Sequence, residues 1–383
     1  MSERAGRANA AVLVGLDFGA DGYSESLEEL RLLVESSGLA PRALIEGKRQ
    51  RPDPALYAGS GKAEEIAEAV REHEAAVVVF NHELSPAQQR NLEKKLQCPV
   101  LDRTGLILGI FARRARSHEG KLQVELAQLE YASTRLVRGW THLERQRGGR
   151  GFLGGMGETQ IEVDRRLIGN RVKVLKDKLA QFKRRRDVQR RARVRGEVLS
   201  VSLVGYTNAG KSTLFNALTH AGSYTADQLF ATLDTTTRRL YLEGTGNLVL
   251  SDTVGFIRDL PHGLVASFRA TLEETVRADL LLHVVDASSS VRTQQIEAVN
   301  AVLAEIGADA IPQVLVWNKI DLTPLLPDLE RDEYGKINRV SLSARTGAGL
   351  DLLRTALAEF AAAKKSAAGN LEMEQHHRDS YVT

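Results

Sequence analysis

Cysteine is nearly absent from this sequence, since Cys98 is the only one in 383 residues. A single thiol cannot form an internal disulfide, which excludes a disulfide-stapled secreted domain and favours a reducing compartment. No apolar run approaches the roughly 18 residues of a membrane-spanning helix, and Met1–Ala10 has no apolar signal-peptide core. We therefore expect a soluble, cytoplasmic protein without a membrane span.

The two signs of charge nearly cancel over the whole chain but not within one segment. The formal net charge is +3, yet residues 165–195 contain 14 Lys and Arg against Asp177 and Asp187, a local net of +12. The rest of the chain must then carry −9. Such unmixed positive charge predicts a polyanionic partner for this segment alone.

The first 115 residues alternate short apolar runs with amphipathic segments. The expected strands are residues 11–16, 43–45, 75–80 and 99–101, and the expected helices are residues 24–34, 62–71 and 85–96. Strands that alternate with helices predict a parallel sheet, so residues 1–115 are expected to form an N-terminal α/β domain.

Within this domain, Gly59-Ser60-Gly61-Lys62 resembles a phosphate-binding loop. The match is incomplete, because position 56 is Leu and Ala63 stands where a metal-binding hydroxyl would follow the lysine. We interpret the run as a turn before a helix. The alternative is a contact with RNA phosphate or with a second nucleotide.

Residues 116–195 change to a heptad pattern, with two apolar seams at alternating spacings of 4 and 3 residues. The first seam is Leu122, Leu126, Leu129, Ser133, Leu136, Trp140 and Leu143, and the second is Ile168, Val172, Leu175, Leu179 and Phe182. Between them, residues 148–157 contain six glycines, which no helix would hold. The pattern predicts a long antiparallel helical hairpin whose second helix carries the basic segment.

Nucleic acid is the favoured partner of this hairpin, because like charges repel one another unless a partner neutralises them. Glycines at the tip would allow close backbone approach, and an exposed phenylalanine could stack on a base. For the basic helix, the alternative is a charged face exposed to solvent. For the glycine-rich tip, the alternative is a flexible connector. The residues expected to contact RNA are Arg150, Phe152, Arg184, Arg185, Arg186, Arg190 and Arg191.

A nucleotide-binding domain is expected over residues 196–363, followed by a polar tail, residues 364–383, expected to be flexible. Its first strand leads into a G-x-x-x-x-G-K-[ST] loop that begins at Gly205. Backbone N–H groups of the loop would face the nucleotide phosphates. Lys211 would reach the β- and γ-phosphates, and Ser212 would bind Mg²⁺.

Three later motifs narrow the nucleotide to guanine. Asp252-Thr253-Val254-Gly255 follows an apolar strand, so its aspartate can hold Mg²⁺ through water and its glycine N–H can meet a γ-phosphate. In Asn318-Lys319-Ile320-Asp321, the last carboxylate would accept hydrogen bonds from N1–H and the exocyclic amine of guanine. Adenine offers neither donor there. Ser343-Ala344-Arg345 would supply a backbone N–H to the guanine oxygen.

Three further runs resemble the HflX family of translational GTPases: Phe230-Ala231-Thr232-Leu233-Asp234, the G-E-T-Q run within residues 157–166, and Arg51-Pro52-Asp53-Pro54. With the motifs above, the resemblance covers residues 10–360. It implies a Ras-like P-loop GTPase domain, GTP hydrolysis with Mg²⁺, and binding of the ribosome. The contact would be chiefly with the 50S subunit and its rRNA, through the hairpin, and would serve splitting or recycling of ribosomes under stress. We also expect a monomer.

The expected site residues follow from these motifs and this resemblance. Several threonines of residues 232–237 compete as the switch residue on sequence alone, and the resemblance selects Thr232. Catalysis is assigned to Lys211, Thr232 and Gly255, and Mg²⁺ to Ser212 and Thr232, with Asp252 acting through water. The GTP contacts are Gly205, Tyr206, Thr207, Asn208, Ala209, Gly210, Lys211, Ser212, Thr213, Phe230, Ala231, Thr232, Leu233, Asp234, Asp252, Thr253, Val254, Gly255, Asn318, Lys319, Ile320, Asp321, Ser343, Ala344 and Arg345.

Phe256 follows the D-x-x-G motif in place of a water-orienting glutamine, so hydrolysis should be slow alone and stimulated by a partner. The chain departs from the family at Met156, where proline is usual, which would loosen the hairpin tip. It also has a shorter C-terminus than some members. Two alternatives remain: a regulatory GTP switch acting on protein effectors, and an RNA-remodelling NTPase whose N-terminal domain uses ATP.

Overall fold

Valine- and leucine-rich strands form one sheet in each of two units of the chain. The computed structural model describes residues 9–19, 22–136, 160–194, 198–219, 229–243, 245–258, 260, 264, 268 and 272–379. Unit 1 comprises residues 1–185, 228–230 and 260–270, and unit 2 comprises residues 186–227, 231–259 and 271–383.

Unit 1 alternates strands and helices, as the sequence predicts, over its first hundred residues. Its strands are β1 Ala10–Asp17, β2 Ala40–Lys48, β3 Val77–Phe80 and β4 Val100–Leu101, and its helices are α1 Tyr23–Ser36, α2 Ser60–Glu72, α3 Pro86–Leu96, α4 Arg103–Arg114, α5 His118–Leu136 and α6 Gln160–Val194, the last extending into unit 2. The sheet has the order β2-β1-β3-β4, and every pair is parallel. This confirms the predicted parallel α/β architecture.

Local sequence signals account for several helix starts in unit 1. Ser85 caps α3 through a reciprocal capping box with Gln88, and Pro86 occupies the first turn. At the start of α2, Gly59 has φ 82, which suits glycine. The amine of Lys62 donates to the Glu46 carbonyl at 2.8 Å and pairs with Glu65 at 2.6 Å. The lysine of this loop is thus engaged within the fold.

The helical hairpin is formed by α5 and α6 around a shared apolar seam. Its buried and partly buried members are Leu122, Leu126, Leu129, Val172, Leu175, Leu179 and Phe182. His118, at the start of α5, contacts the ring of Phe182, whereas Glu125, further along, pairs with Arg171, earlier in α6. The two helices therefore run antiparallel. The predicted tip, including Met156, lies outside the described residues.

A buried ion pair joins the hairpin to the N-terminal sheet within unit 1. Asp102, fully buried at the end of β4, caps α4 by accepting from the Gly105 N–H at 2.8 Å. It also accepts from the Tyr131 hydroxyl at 2.6 Å and pairs with Arg135, both on α5. Burial, with Asp102 adding to it, raises the pKa of Tyr131, which therefore stays a donor.

Two short segments from later in the chain complete unit 1. The rings of Phe230 and Phe268 each lie 4.8 Å, centroid to centroid, from the ring of Phe111 on α4. The Leu229 N–H donates to the buried Ser36 hydroxyl at 3.2 Å. All three phenylalanines are at most 4% exposed, so these contacts belong to the core of the unit.

Unit 2 is built on a seven-stranded sheet of order β10-β11-β9-β8-β5-β7-β6. Its strands are β5 Leu199–Gly205, β6 Thr236–Leu242, β7 Gly246–Asp252, β8 Leu280–Asp286, β9 Gln313–Asn318, β10 Asp328–Arg331 and β11 Ile337–Ser341, and its helices are α7 Lys211–Thr219, α8 Glu273–Val276, α9 Arg292–Ile306 and α10 Leu350–Asp379. The five central strands are parallel, while β6 and β10 pair antiparallel at the edges. Parallel strands bring the loops that follow β5, β7, β8 and β9 to one edge of the sheet.

The C-terminal segment, expected to be a flexible tail, is helical as far as Asp379. Helix α10 continues through residues 364–379 without a break. Ten of residues 364–379 are Ala, Leu, Lys, Arg, Glu, Gln or Met, which favour helix, whereas the polarity of the segment alone suggested an irregular chain. Among the described residues, no helix is long and apolar enough to cross a membrane.

Candidate functional site

The phosphate loop lies between β5 and α7 and depends on two glycines. Gly205 has φ 149, and a Cβ there would lie 2.2 Å from the Val284 carbonyl oxygen on β8. Gly210 has φ 93, and a Cβ there would lie 2.2 Å from the amide nitrogen of Asn318. Both positions therefore require glycine. The loop can pass close to the sheet and leave backbone N–H groups for phosphate oxygens.

Lys211 begins α7 and lies beneath this loop. Its amine donates to the carbonyls of Gly205 at 3.0 Å and Tyr206 at 2.7 Å. Burial lowers the pKa of Lys211 to about 8, with Asp252 opposing the shift and Lys319 adding to it. A polyphosphate bound at the loop would favour the charged form of the Lys211 amine. Its negative charge would replace the stabilisation by water that the amine loses on burial.

Three oxygen ligands meet next to the lysine. The Ser212 hydroxyl lies 2.7 Å from both the Thr232 hydroxyl and Asp252 Oδ2, and the Thr232 hydroxyl donates to Asp252 Oδ2 at 3.0 Å. Among the described residues, the second oxygen of Asp252 is buried without a hydrogen-bond partner. Burial raises the pKa of Asp252. A divalent cation would supply a positive charge next to the buried Asp252 carboxylate. The three oxygen donors are of the kind that Mg²⁺ prefers.

The D-x-x-G loop is hydrogen-bonded to the phosphate loop. The Phe256 N–H donates to the Gly205 carbonyl at 3.1 Å, and the Thr207 N–H donates to the Phe256 carbonyl at 2.7 Å. A Cβ on Gly255 would come within 3.0 Å of both Thr207 and Lys211. The phosphate loop thus passes so close to Gly255 that a side chain there would displace Thr207 or Lys211. Within the loop, Thr253 donates to the Leu203 carbonyl at 2.6 Å.

The base-recognition loops are tied together through Asn318. Its amide donates to the Ala209 carbonyl at 2.9 Å, and its side-chain oxygen accepts from the Ala344 N–H at 2.9 Å. The Ser343 hydroxyl donates to Asp321 at 2.5 Å. This bond holds one carboxylate oxygen, so the carboxylate is positioned to accept from the two donors of guanine.

Sequence reasoning missed Asp286, which lies at the end of β8. Its carboxylate pairs with the Lys319 amine at 2.7 Å and accepts from the Ser288 N–H at 3.0 Å. Lys319 has φ 65, an uncommon backbone conformation for a non-glycine residue. The sequence does show an aspartate at the end of an apolar strand. That this strand lies next to β9, which leads into the base-recognition loop, is known only from the order of strands in the sheet.

Other predicted residues lie in unit 2, in unit 1, on α6 or outside the described residues. Thr232, Leu233 and Asp234 lie in unit 2, Leu233 being buried, while Phe230 belongs to unit 1 and packs on Phe111. The structure therefore brings Thr232 to Ser212 and Asp252. Arg184 and Arg185 are exposed on α6. The other predicted RNA contacts have side chains outside the described part of the chain: Arg150, Phe152, Arg186, Arg190 and Arg191.

Family models match three consecutive stretches of the chain. They are a GTP-binding GTPase N-terminal region at residues 24–112, a GTP-binding GTPase middle region at residues 114–193, and a 50S ribosome-binding GTPase at residues 200–319. Together they match well over half of the chain.

Curated relatives of similar length carry one name. The chain is 57% identical over 360 residues to GTPase HflX of Escherichia coli strain K12, covering 94% of this chain and 84% of that protein. It is 52% identical over 337 residues to GTPase HflX of Magnetococcus marinus, covering 88% and 78%. A crystal structure of SsGBP in complex with GDP aligns with 92% of this chain and 98% of its own at 24% identity and a TM-score of 0.51, which supports the fold alone.

Proposed function

The chain belongs to the HflX family of GTPases, and we propose that it binds the large ribosomal subunit through its basic hairpin and couples GTP binding and hydrolysis to ribosome splitting or recycling. The chain is a GTP-hydrolysing enzyme of this family. The proposal concerns its partner, its cofactor and the use it makes of the nucleotide.

Hydrolysis requires attack of water on the γ-phosphorus and departure of GDP with the bond electrons. Lys211 would stabilise charge on the β- and γ-phosphate oxygens, and the Gly255 N–H would donate to the γ-phosphate. Ser212 and Thr232 would hold Mg²⁺, with Asp252 acting through a water. Bound there, the ion would neutralise charge between the two phosphates.

A partner is expected to complete catalysis. The Phe256 side chain is apolar and 1% exposed, so it cannot orient an attacking water. Turnover by the isolated protein should therefore be slow. A ribosome bound to the protein could raise the rate of hydrolysis by fixing the loops around the γ-phosphate.

The observation that carries the ribosome proposal is the charge of α6. Its described cations from Arg165 to Arg185 are all exposed. Arg171 and Lys176 pair with acidic residues of α5. In contrast, Lys173, Lys178 and Arg184 form no ion pair with any described residue. Excess positive charge along one long helix favours a phosphate backbone as partner.

The proposal is tested by pelleting the full chain with purified 50S subunits in the presence of GDP or a non-hydrolysable GTP analogue. We expect cosedimentation with the analogue to exceed that with GDP. The variant Lys173→Gln/Lys178→Gln/Arg184→Gln should bind several-fold more weakly and with a shallower salt dependence. Its matched control, Arg42→Gln/Arg71→Gln/Lys94→Gln, removes three exposed cations elsewhere in unit 1 and should bind normally.

Equal pelleting of both triple variants would contradict binding through the hairpin. If no variant and no nucleotide supports pelleting, the ribosome is not the partner, and a GTP switch acting on a protein effector becomes the better account.

A further inference from the structure

Hydrolysis needs a polar group beside the γ-phosphate, and the usual position cannot provide one. Phe256 is held by backbone hydrogen bonds to Gly205 and Thr207, and its ring is buried. The loop would have to leave the phosphate loop before any side chain there could reach a water. Within this chain, the candidate is another residue that faces Gly255.

Thr207 has the required location. A Cβ built on Gly255 would lie 2.9 Å from Thr207 Cγ2 and 3.0 Å from the Lys211 amine. Gly255 and Lys211 are the two groups assigned above to the γ-phosphate. The Gly255 backbone, the Lys211 amine and the Thr207 side chain therefore lie within about one hydrogen-bond length of a single point, and Thr207, expected from its motif to contact GTP, is the one without a chemical role.

Thr207 also has an unused hydrogen-bonding group. The residue is 6% exposed, and no described residue hydrogen-bonds to its hydroxyl. Its backbone N–H already donates to the Phe256 carbonyl, so the hydroxyl is the one donor of Thr207 left for a ligand. A buried hydroxyl without a partner destabilises a fold, and a valine of the same shape would avoid that cost.

We propose that the Thr207 hydroxyl is a catalytic group that accepts a hydrogen bond from the attacking water and donates one to a γ-phosphate oxygen. Its methyl group now faces Gly255, and a rotation of about 120° about Cα–Cβ brings the hydroxyl to the staggered position that the methyl group holds. The water attacks phosphorus, the bond to the bridging oxygen breaks towards GDP, and the water proton passes to the released phosphate. Thr207 is chemically unchanged.

The inference rests on GTP hydrolysis at this site and not on the ribosome, so the test uses the full chain alone with Mg²⁺. Single-turnover hydrolysis of GTP is measured for the wild type, Thr207→Val and Thr207→Ser, together with GDP affinity and the melting temperature. Valine keeps the branched shape and removes the hydroxyl, whereas serine keeps the hydroxyl.

We expect Thr207→Val to hydrolyse GTP at least tenfold more slowly, with GDP affinity within twofold of the wild type. Thr207→Ser should retain the rate within threefold. A purely structural hydroxyl gives a different result: Thr207→Val would melt at a higher temperature and hydrolyse GTP at the wild-type rate, and that outcome overturns the proposal. Equal loss of rate in both variants overturns it as well, because the hydroxyl would then be irrelevant.

Discussion

The buried amine of Lys211 is expected to bind the negatively charged phosphates of the nucleotide. Its pKa is lowered to about 8 in the free protein, mainly by burial. Bound phosphates favour the charged amine and raise that pKa. Above pH 8 the free protein must take up a proton to bind, so affinity falls as the pH rises through this value.

The nucleotide affinity at pH 9 should therefore be about tenfold lower than at pH 7. Titration with a fluorescent GDP analogue across this range measures the effect. Lys211→Arg keeps its charge throughout and should show a flat profile. Lys211→Ala should bind GTP much more weakly at every pH, and unchanged affinity in that variant would contradict the role given to the amine.

Asp286 forms an ion pair with Lys319 and belongs to none of the sequence motifs. Asp286→Asn keeps the bonds to Ser288 but loses the ion pair at 2.7 Å. We expect it to weaken GTP and GDP binding equally, by about tenfold, while the hydrolysis rate at saturation stays the same. Isothermal titration and saturation kinetics separate the two effects. Asp309→Asn, at an exposed aspartate, is the control and should change neither.

His283 lies on β8 in the core of unit 2 and is 1% exposed. Burial lowers its pKa to about 4, with Lys211 acting in the same direction and Gln313 opposing it. The unfolded chain binds a proton near pH 6.5 whereas the folded chain does not, so stability is lost as the pH falls from 6.5 towards 4.

Between pH 7.5 and pH 5 this single group should lower the free energy of unfolding by about 2 kcal/mol. Urea denaturation of the wild type and of His283→Leu at both values gives the difference. The leucine variant should lose less stability on acidification. An identical loss in both proteins would contradict the lowered pKa of His283.

At the scale of elements, periodicity predicted the strands of unit 1 and the described part of each hairpin seam, because alternation and heptad spacing are properties of consecutive residues. Trp140 and Leu143 of the first seam lie outside the described residues. Local chemistry also predicted α3, since Ser85, Pro86 and Gln88 form its start. The packing of Phe230 on Phe111 could not be predicted, because it joins residues from distant parts of the chain. Nor could polarity alone reveal that the C-terminal segment continues α10.

The hairpin seam has a matched pair of leucines for measuring its contribution. Leu175 is fully buried between α5 and α6, whereas Leu167 on the same helix is 58% exposed. Leu175→Ala should lower the free energy of unfolding by about 2–4 kcal/mol, since it leaves a cavity. Leu167→Ala should change it by less than about 0.5 kcal/mol. Chemical denaturation followed by circular dichroism gives both values, and similar losses would contradict the assigned faces of α6.

For the whole molecule, the sequence motifs predicted most of the residues that the structure brings together at the candidate nucleotide site. Ser212, Asp252 and Asn318 occur in three separate runs, and the order of parallel strands places all three at one edge of the sheet. What the motifs lacked were the groups that support or complete them, Asp286 and Thr207. Their roles depend on neighbours in space. Partner binding is likewise a property of a surface and not of a motif.

The most direct test of the account is steady-state GTP turnover of the full chain with and without purified 50S subunits. We expect at least a tenfold stimulation for the wild type, because the buried Phe256 leaves catalysis incomplete without a partner. The variant Lys173→Gln/Lys178→Gln/Arg184→Gln should keep the basal rate and lose most of the stimulation. Equal turnover of the wild type with and without 50S subunits would contradict the account.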